Sequence, residues 1–322
     1  MLLTDQHPHN KSIMVSVLGA PNVGKSSMIN YLMGMDLTVV TKKPQTTRNK
    51  FHCVFTVDRT EIVLVDTPGV HKSNMEFNKR LNEQAKEGTE GADINLLLID
   101  LSREILPQVK DFIELMDMEL GRTWVIFSKA DRIEDATKLP LAEVFAKIQE
   151  VIPAADKFFV VSSKTGDNMH ELTGAICDAA LPGPHLYLDG SVSNKNERFF
   201  ACEYIREQAF QLLKDEIPYE VAVLIDEFKD VSKKDEDRQS HISASILVNR
   251  PSQRGIVVGS KGAMIKEIGT RSRHKIEAMT GGKVHLNLHV KVSPKWFKNN
   301  FVLEEIGLPR AVNSARVWRN KG

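Results

Sequence analysis

The pattern of hydrophobic and polar positions changes near residue 180. Before that point, short apolar runs are separated by segments such as 108–118 and 141–151, whose apolar residues recur at helical spacing. Because the runs are apolar on both faces, they are typical of parallel strands covered by helices. These runs are 13–18, 62–65, 94–99, 124–127 and 158–161. The pattern predicts an α/β fold with a doubly wound sheet over residues 13–180.

One pair of strands in this sheet should be antiparallel. The runs 51–57 and 62–65 are separated by a short polar link around Asp58 and Arg59. That link is too short for a crossover helix, so the two runs are expected to form a hairpin. The sheet should therefore have one antiparallel edge strand.

A different order of elements follows the segment Leu181-Pro-Gly-Pro-His185, whose prolines and glycine cannot continue a helix. We expect a helix over 199–214, strands over 220–228 and 243–249, a glycine-punctuated helical region over 255–279, and an alternating strand over 284–292. The predicted organisation is a disordered tail (1–12), a first domain (13–180), a linker (181–196), a second domain (197–293) and a C-terminal extension (294–322).

Composition says little about binding partners, but it argues against a zinc-finger protein, a dithiol redox protein and a membrane-spanning protein. The 322 residues suit two domains, and 42% hydrophobic and 26% charged residues are ordinary for a folded protein. The formal net charge is only +1, and the three cysteines have neither zinc-finger nor redox spacing. No apolar run approaches the roughly 18 residues that a membrane span needs. We expect a cytoplasmic protein with reduced thiols.

The first chemical motif is a phosphate-binding loop. The segment Gly19-Ala-Pro-Asn-Val-Gly-Lys-Ser26 matches G-x-x-x-x-G-K-[ST] and lies between a predicted strand and a predicted helix. Its backbone N–H groups and the helix N-terminus can surround an anion. Lys25 can reach the β- and γ-phosphates, and the Ser26 hydroxyl can bind Mg²⁺. The predicted phosphate-binding residues are Gly19, Ala20, Pro21, Asn22, Val23, Gly24, Lys25 and Ser26.

Three further segments, each after a predicted strand, favour guanine as the base. Asp66 suits a magnesium ligand, and the Gly69 N–H can reach the γ-phosphate. Asp131 can accept both N1–H and the exocyclic amine of guanine, which adenine does not offer. The segments are Asp66, Thr67, Pro68, Gly69 and Val70; Ser128, Lys129, Ala130 and Asp131; and Ser162, Ser163 and Lys164. Their order and spacing resemble the motif series of the translation-factor-like GTPases.

That resemblance implies a mobile switch segment at Gln45-Thr-Thr-Arg-Asn49. Thr47 would complete the magnesium shell when a γ-phosphate is present, with Thr46 as the alternative. The predicted metal ligands are thus Ser26, Thr47 and Asp66. The predicted catalytic groups are Lys25, Thr47 and Gly69. Arg48 is a possible additional positive group.

Two residues depart from the usual motifs. Ser128 stands where the guanine motif usually has Asn, and the loss of one hydrogen bond predicts binding that is several-fold weaker but still guanine-selective. Val70 stands where Ras-type enzymes have a water-orienting Gln. Intrinsic hydrolysis should therefore be slow. In relatives with Asn at position 22, K⁺ can take the place of an arginine finger, which makes K⁺ a candidate cofactor here.

The second domain contains a candidate RNA site. The tetrapeptide Gly259-Ser-Lys-Gly262 joins two helical pieces, as in the KH module, which holds about four nucleotides of single strand. The stretch from Arg254 to Lys298 contains ten Lys and Arg and only two acids, which gives it a local net charge of +8. The element order fits a type II KH domain. The predicted RNA-binding residues are Gly259, Ser260, Lys261, Gly262 and Lys266.

The two halves together resemble the Era family, over about residues 13–307. The resemblance is specific in the Pro-Asn-Val-Gly-Lys-Ser loop, the Gln-Thr-Thr-Arg switch, and segments such as Glu216-Ile-Pro-Tyr219 and Ala263-Met-Ile-Lys266. It implies a P-loop GTPase that binds the 3′ end of 16S rRNA and acts in small-subunit assembly. It also implies peripheral association with the inner membrane, and we expect a monomer. The alternative is a constitutive RNA-binding scaffold with little GTP turnover.

Overall fold

The computed structural model of the chain describes residues 6–41, 43, 47–70, 76–134, 140–187, 190–229 and 239–308. The first part alternates strands and helices along the chain. Its elements are β1 (Lys11–Leu18), α1 (Lys25–Met33), β2 (Phe51–Val57), β3 (Thr60–Asp66), α2 (Glu76–Glu87), β4 (Ile94–Asp100), α3 (Ile105–Met116), β5 (Thr123–Ser128), α4 (Leu141–Val151), β6 (Ala155–Val160), α5 (Met169–Ala179) and β7 (Leu181–Pro182).

The main sheet has the strand order β2-β3-β1-β4-β5-β6, with β7 paired to β1. Strands β3, β1, β4, β5 and β6 are parallel, whereas β2 is antiparallel to β3 and forms the expected hairpin edge. The carboxyl ends of β1, β3, β4 and β5 therefore meet at one edge of the sheet. This edge is where ligands bind in open α/β sheets. The predicted doubly wound sheet is confirmed.

The predicted linker lies along the first domain in the structure. Leu181 and Pro182 pair with the start of β1, which begins at Lys11, within the segment predicted as a tail. The Glu61 carboxylate accepts hydrogen bonds from the backbone N–H groups of Leu186 (2.6 Å) and Tyr187 (3.1 Å). These contacts hold residues 181–187 against the amino ends of β1 and β3, opposite the carboxyl ends where the ligand site lies.

The second part contains α6 (Glu197–Leu212), β8 (Ala222–Lys229), β9 (Ser240–Val248), α7 (Pro251–Val258), α8 (Ala263–Thr280), β10 (Val284–Val292) and α9 (Asn300–Glu305). Its sheet has the order β10-β9-β8, with β9 parallel to β10 and antiparallel to β8. This order confirms the predicted type II KH arrangement. Helix α6 begins two residues before the predicted start because the Asn196 side chain caps it, accepting from the Phe199 N–H at 3.0 Å.

The two parts share a small apolar cluster. Phe77 and Leu81 of α2 pack with Trp296, Leu303 and Leu308 from the segment after β10. Trp296 is 1% exposed, and its ring meets that of Phe77 edge-on at 5.7 Å. The C-terminal part of the described chain thus covers one side of the first domain. Among the described residues, no helix combines the length and apolarity that crossing a membrane would demand.

Candidate functional site

The phosphate loop joins β1 to α1, as its sequence predicts. Helix α1 begins at Lys25, so its N-terminus lies at the loop. The Lys25 ammonium donates to the carbonyl oxygens of Gly19 (2.9 Å) and Ala20 (3.0 Å) and is buried. Burial lowers the pKa of Lys25 to about 8, although nearby Asp66 acts in the opposite direction. The loop therefore fixes the lysine beside the cavity that the predicted phosphate residues line.

Three predicted metal ligands come together from separate elements. The Thr47 hydroxyl lies 3.2 Å from the Ser26 hydroxyl and donates to Asp66 Oδ2 at 3.2 Å. Asp66 is fully buried, and its Oδ1 has no hydrogen-bond partner among the described residues. Burial raises the pKa of Asp66 to about 7, with Lys25 opposing the shift. Hydroxyl and carboxylate oxygens suit Mg²⁺, and a cation here would satisfy the orphaned carboxylate oxygen. Thr46 lies outside the described residues.

The segment after β3 packs closely on the phosphate loop. The Thr67 hydroxyl donates to the Val17 carbonyl at 2.6 Å. A Cβ on Gly69 would lie 2.9 Å from the backbone of Pro21, so a larger residue would push the two loops apart. Val70 is 3% exposed and packs against Leu18 and its neighbours in a second core cluster. Its side chain is a core group and has no polar atom to orient water.

Although Ser128 is shorter than the usual Asn, its hydroxyl still links the guanine motif to the phosphate loop. It donates to the Val23 carbonyl of the phosphate loop at 2.6 Å and lies 3.1 Å from the Ile99 carbonyl. Lys129 supports the same loop by donating to the Asn22 carbonyl (2.5 Å) and to Asp100 Oδ2 (2.6 Å). The phosphate loop and the guanine motif are therefore tied together by two side chains.

The predicted base-binding residues also lie together. The Ser162 hydroxyl donates to Asp131 Oδ1 at 2.8 Å, and the Lys164 ammonium lies 3.6 Å from Asp131 Oδ2. The Ala130 N–H donates to the Val161 carbonyl at 3.1 Å, which joins the two motifs through the backbone. Asp131, Ser163 and Lys164 line a cavity of about 940 Å³. It shares Lys129 and other lining residues with the cavity of about 370 Å³ at the phosphate loop. Together, the two cavities have room for a nucleotide.

Sequence reasoning missed three residues of this site. Arg103 and Arg132 line the phosphate cavity, and Asp100 holds Lys129 in place. Burial acts to raise the pKa of Asp100, but hydrogen bonds from Lys129 and Ser102 outweigh it and hold that pKa below its usual value. The missed signal for Asp100 was its position, since it is a carboxylate at the carboxyl end of a buried parallel strand.

The predicted RNA-binding loop has the expected backbone geometry. Gly259 has a φ of +74°, and a Cβ there would lie 2.7 Å from Met264 Cβ. Lys261 is exposed and left-handed at φ +49°, and α8 begins just after Gly262. A groove of about 930 Å³ runs between α8 and β10. It is lined by apolar side chains such as Ile265 and Leu288, and by Lys266 and Arg273.

Ion pairs reduce the local positive charge that the sequence indicated. Acids from outside that stretch take part, because Lys275 pairs with Glu207 at 2.7 Å and Lys291 pairs with Asp226 at 3.2 Å. Arg271 and Arg273 pair with acids of their own helix. Lys261 and Lys266 form no ion pair with a residue that the structure describes. Of the cations that line the groove, Lys266 and Lys283 are outside these ion pairs, and Lys261 adds a third such charge at the loop.

Arg48 does not line the phosphate cavity and instead enters the domain junction. Its guanidinium donates to the Val221 carbonyl at 2.9 Å and lies over three rings, at 5.2 Å from Phe77, 5.4 Å from Phe210 and 5.9 Å from Trp296. Burial, and then repulsion from Arg206, lowers its pKa. Because Arg48 follows Thr47 directly, the switch segment is connected to the second domain.

Asp36, Lys43 and Asn49, which lie between α1 and β2, also contact residues of the second domain or the turn after α9. The Tyr204 hydroxyl of α6 donates to the Asp36 carbonyl at 3.3 Å, and the Lys43 ammonium donates to the Leu213 carbonyl at the end of α6 at 2.5 Å. Gly307 has a φ of +86°, and a Cβ there would overlap Asn49 Oδ1. Residues in and before the switch segment therefore connect to α6 and to the turn after α9.

Comparisons with known proteins agree with this geometry. Residues 14–129 match the family model described as 50S ribosome-binding GTPase, and residues 216–297 match the KH domain model. The chain is 33% identical to the GTPase Era of Geobacter metallireducens, over 92% of this chain and 97% of that protein. It is 36% identical to the GTPase Era of Leuconostoc citreum, over 92% and 96%.

Two solved structures are similar over nearly the whole chain. One is Era in complex with MgGDPNP and nucleotides 1506–1542 of 16S ribosomal RNA, with a TM-score of 0.85 and 28% identity over 94% of this chain and 100% of that one. The other is a single-residue variant of Aquifex aeolicus Era bound to GDP·AlF₄⁻, with a TM-score of 0.84 and 28% identity over 93% and 99%.

Proposed function

We propose a function on the premise that this chain belongs to the Era family of GTPases. As a member, it binds guanine nucleotide and hydrolyses GTP. Its further role is to bind single-stranded ribosomal RNA at the 3′ end of 16S rRNA and to time a step of small-subunit assembly. The observation that carries the proposal is that the groove between α8 and β10, which Lys266 lines, and the nucleotide cavity belong to two domains that Arg48 joins.

Each step at the nucleotide site has a group in the chain to perform it. Asp131 selects guanine through its two carboxylate oxygens, and Lys25 neutralises charge on the β- and γ-phosphates. Ser26, Thr47 and Asp66 would hold Mg²⁺, which supplies further positive charge to the phosphates when bound. The Gly69 N–H contacts the γ-phosphate.

At position 70 the chain has no polar side chain that could orient the attacking water. Because Val70 is apolar, hydrolysis depends on charge and position more than on a side-chain base. K⁺ held with the help of Asn22 would add positive charge at the transition state. Turnover that is equal in sodium and potassium buffers would remove K⁺ from this account.

The RNA groove and the nucleotide site act as one switch. With GTP bound, Thr47 would hold Mg²⁺ together with Ser26 and Asp66, and the next residue, Arg48, would connect that position of the backbone to the second domain. Single-stranded RNA then binds between α8 and β10 with its backbone at Gly259–Gly262. Such coupling requires that the GTP and GDP states differ in RNA affinity.

Two measurements test this proposal. The first is the affinity for a single-stranded oligonucleotide with the 3′-terminal 16S rRNA sequence, in the presence of GDP and of a non-hydrolysable GTP analogue. Tighter binding with the analogue supports the switch, and identical binding refutes it. The second is phosphate release, with Lys25→Ala as the control. Release no faster than that control, with or without RNA, favours the constitutive scaffold.

Peripheral contact with the inner membrane and a monomeric state stay predictions of the family resemblance. Co-sedimentation with vesicles of inner-membrane lipids tests the first, and sedimentation velocity of the full chain tests the second. Neither outcome changes the assignment of the nucleotide site.

A further inference from the structure

A second polar cavity, distinct from the nucleotide site and the RNA groove, lies between the two domains. Its volume is about 220 Å³, and it is bounded by the end of the switch segment, the start of α6, β8 and the turn after α9. The cations Arg48, Lys195, Arg198 and Arg206 line it, against the acids Glu203 and Glu305. A small cavity with this composition has more positive than negative charge.

One ion pair inside the cavity leaves this excess of positive charge unchanged. Glu203 is committed to Arg206, whose Nε donates to Glu203 Oε1 at 2.9 Å. Lys195, Arg198 and Arg48 form no ion pair with any residue that the structure describes. Glu305 is exposed at the rim. Apart from the Arg206–Glu203 pair, the cavity is therefore lined by three cations and one acid.

A buried donor in this cavity also lacks an acceptor. Arg48 is 3% exposed, and its Nε has no hydrogen-bond partner among the described residues. A buried N–H without a partner costs about 1–3 kcal/mol, and more when the group is charged. The geometry thus leaves a place for an acceptor next to Arg48.

The start of α6 adds to the positive potential. This helix has 16 residues, and its N-cap residue Asn196 lines the same cavity. Unpaired N–H groups and the helix dipole favour an anion at such an end. Burial, and then repulsion from Lys50, lowers the pKa of Lys195.

We propose that this interdomain cavity binds a phosphate group. The oxygens of a tetrahedral phosphate can accept from Arg198, Lys195 and the Arg48 Nε–H at the same time, because charge-assisted bonds of this kind suit guanidinium donors. The phosphate comes from one of two sources, free inorganic phosphate or the backbone of a bound RNA. In either case it joins the switch segment to the start of α6. The site does not depend on which RNA the groove recognises.

The direct test is titration of inorganic phosphate by calorimetry into the full chain saturated with a non-hydrolysable GTP analogue and Mg²⁺, so that the β- and γ-phosphate positions are already occupied. We expect one saturable site. The double variant Lys195→Gln/Arg198→Gln should weaken it at least tenfold, and Lys110→Gln, an exposed lysine on α3, should leave it unchanged. Arg198→Lys keeps the charge and should restore part of the affinity. Absence of saturable binding, or equal affinity in the double variant, overturns the site.

The same variants identify the source of the phosphate. If RNA supplies it, the double variant reduces the salt dependence of RNA binding by about 0.7–1.4 in the log–log slope, and inorganic phosphate competes with RNA. If the phosphate is free, RNA binding keeps its slope and phosphate binds the RNA complex as well. GDP affinity should be unchanged in both cases. A double variant that binds GDP normally but neither loses phosphate nor changes the slope contradicts the proposal.

Discussion

Replacing Arg48 tests whether the switch segment controls the second domain. Arg48→Met keeps a long flexible side chain but removes the donor to the Val221 carbonyl and the cation over Phe77, Phe210 and Trp296. A buried carbonyl that loses its donor costs about 1–3 kcal/mol, and each cation–ring contact contributes about 0.5–1 kcal/mol. Relief from burying a guanidinium offsets part of this loss. We expect a net weakening of the junction of about 1–3 kcal/mol.

The weaker junction should mainly reduce the effect of the bound nucleotide on RNA affinity. Allosteric coupling energies are typically about 1–3 kcal/mol, or 5- to 150-fold in affinity, so a loss of this size can abolish the effect. The assay is RNA affinity with a GTP analogue divided by RNA affinity with GDP. In Arg48→Met we expect this ratio to fall to within about twofold of one, because the free energy lost at the junction is about as large as a typical coupling free energy.

The matched control is Arg59→Met, which removes an exposed arginine from the turn between β2 and β3. It should keep the ratio of the unmodified chain. GDP affinity should be nearly unchanged in both variants, because Arg48 does not line the nucleotide cavity. A normal ratio in Arg48→Met would show that the junction contacts do not carry the coupling.

Further changes test other parts of the site. Ser128→Ala removes the donor to the Val23 carbonyl and should weaken GDP binding about tenfold by fluorescence titration, a loss near 1.4 kcal/mol; unchanged affinity would mean that this bond does not support the loop. Asp131→Ala should lower GTP affinity at least 100-fold and leave the weak ATP affinity as it is, so a selective variant would contradict the assigned role. Lys261→Gln should reduce the salt slope of RNA binding by about 0.7 without altering GDP affinity. Gly259→Ala should weaken RNA binding, since its Cβ would meet Met264; RNA affinity equal to that of the unmodified chain would show that the loop tolerates the shift.

The sheet and the nucleotide motifs could be predicted because their signals are local. Each motif directly follows an apolar run, and parallel strands place their carboxyl ends at one edge. This rule brought Asp66 and Asp131 to the same side of the sheet from sequence alone. The same rule places Asp100 at this edge, but Asp100 was not predicted because it belongs to none of the sequence motifs.

The domain junction could not be predicted, because its contacts join residues far apart in sequence. In the sequence, Arg48 is a charged residue in a polar loop, and a positive charge near the phosphates suggests a catalytic role. Only the packing of Phe77, Phe210 and Trp296 around it reveals the other role. The same limit applies to the basic stretch after residue 254, whose charge is partly neutralised by Glu207 and Asp226 from elsewhere.

The contact between Gly307 and Asn49 has a consequence for the order in which the molecule matures. A ribosome synthesises the nucleotide domain first, and Gly307, which lies against Asn49, is added only after the whole second domain. A partly synthesised chain can form the main sheet and the phosphate loop, but it lacks the surface on which the switch segment rests. We therefore expect that control of the second domain by nucleotide, rather than nucleotide binding itself, requires the chain to have been synthesised through Gly307.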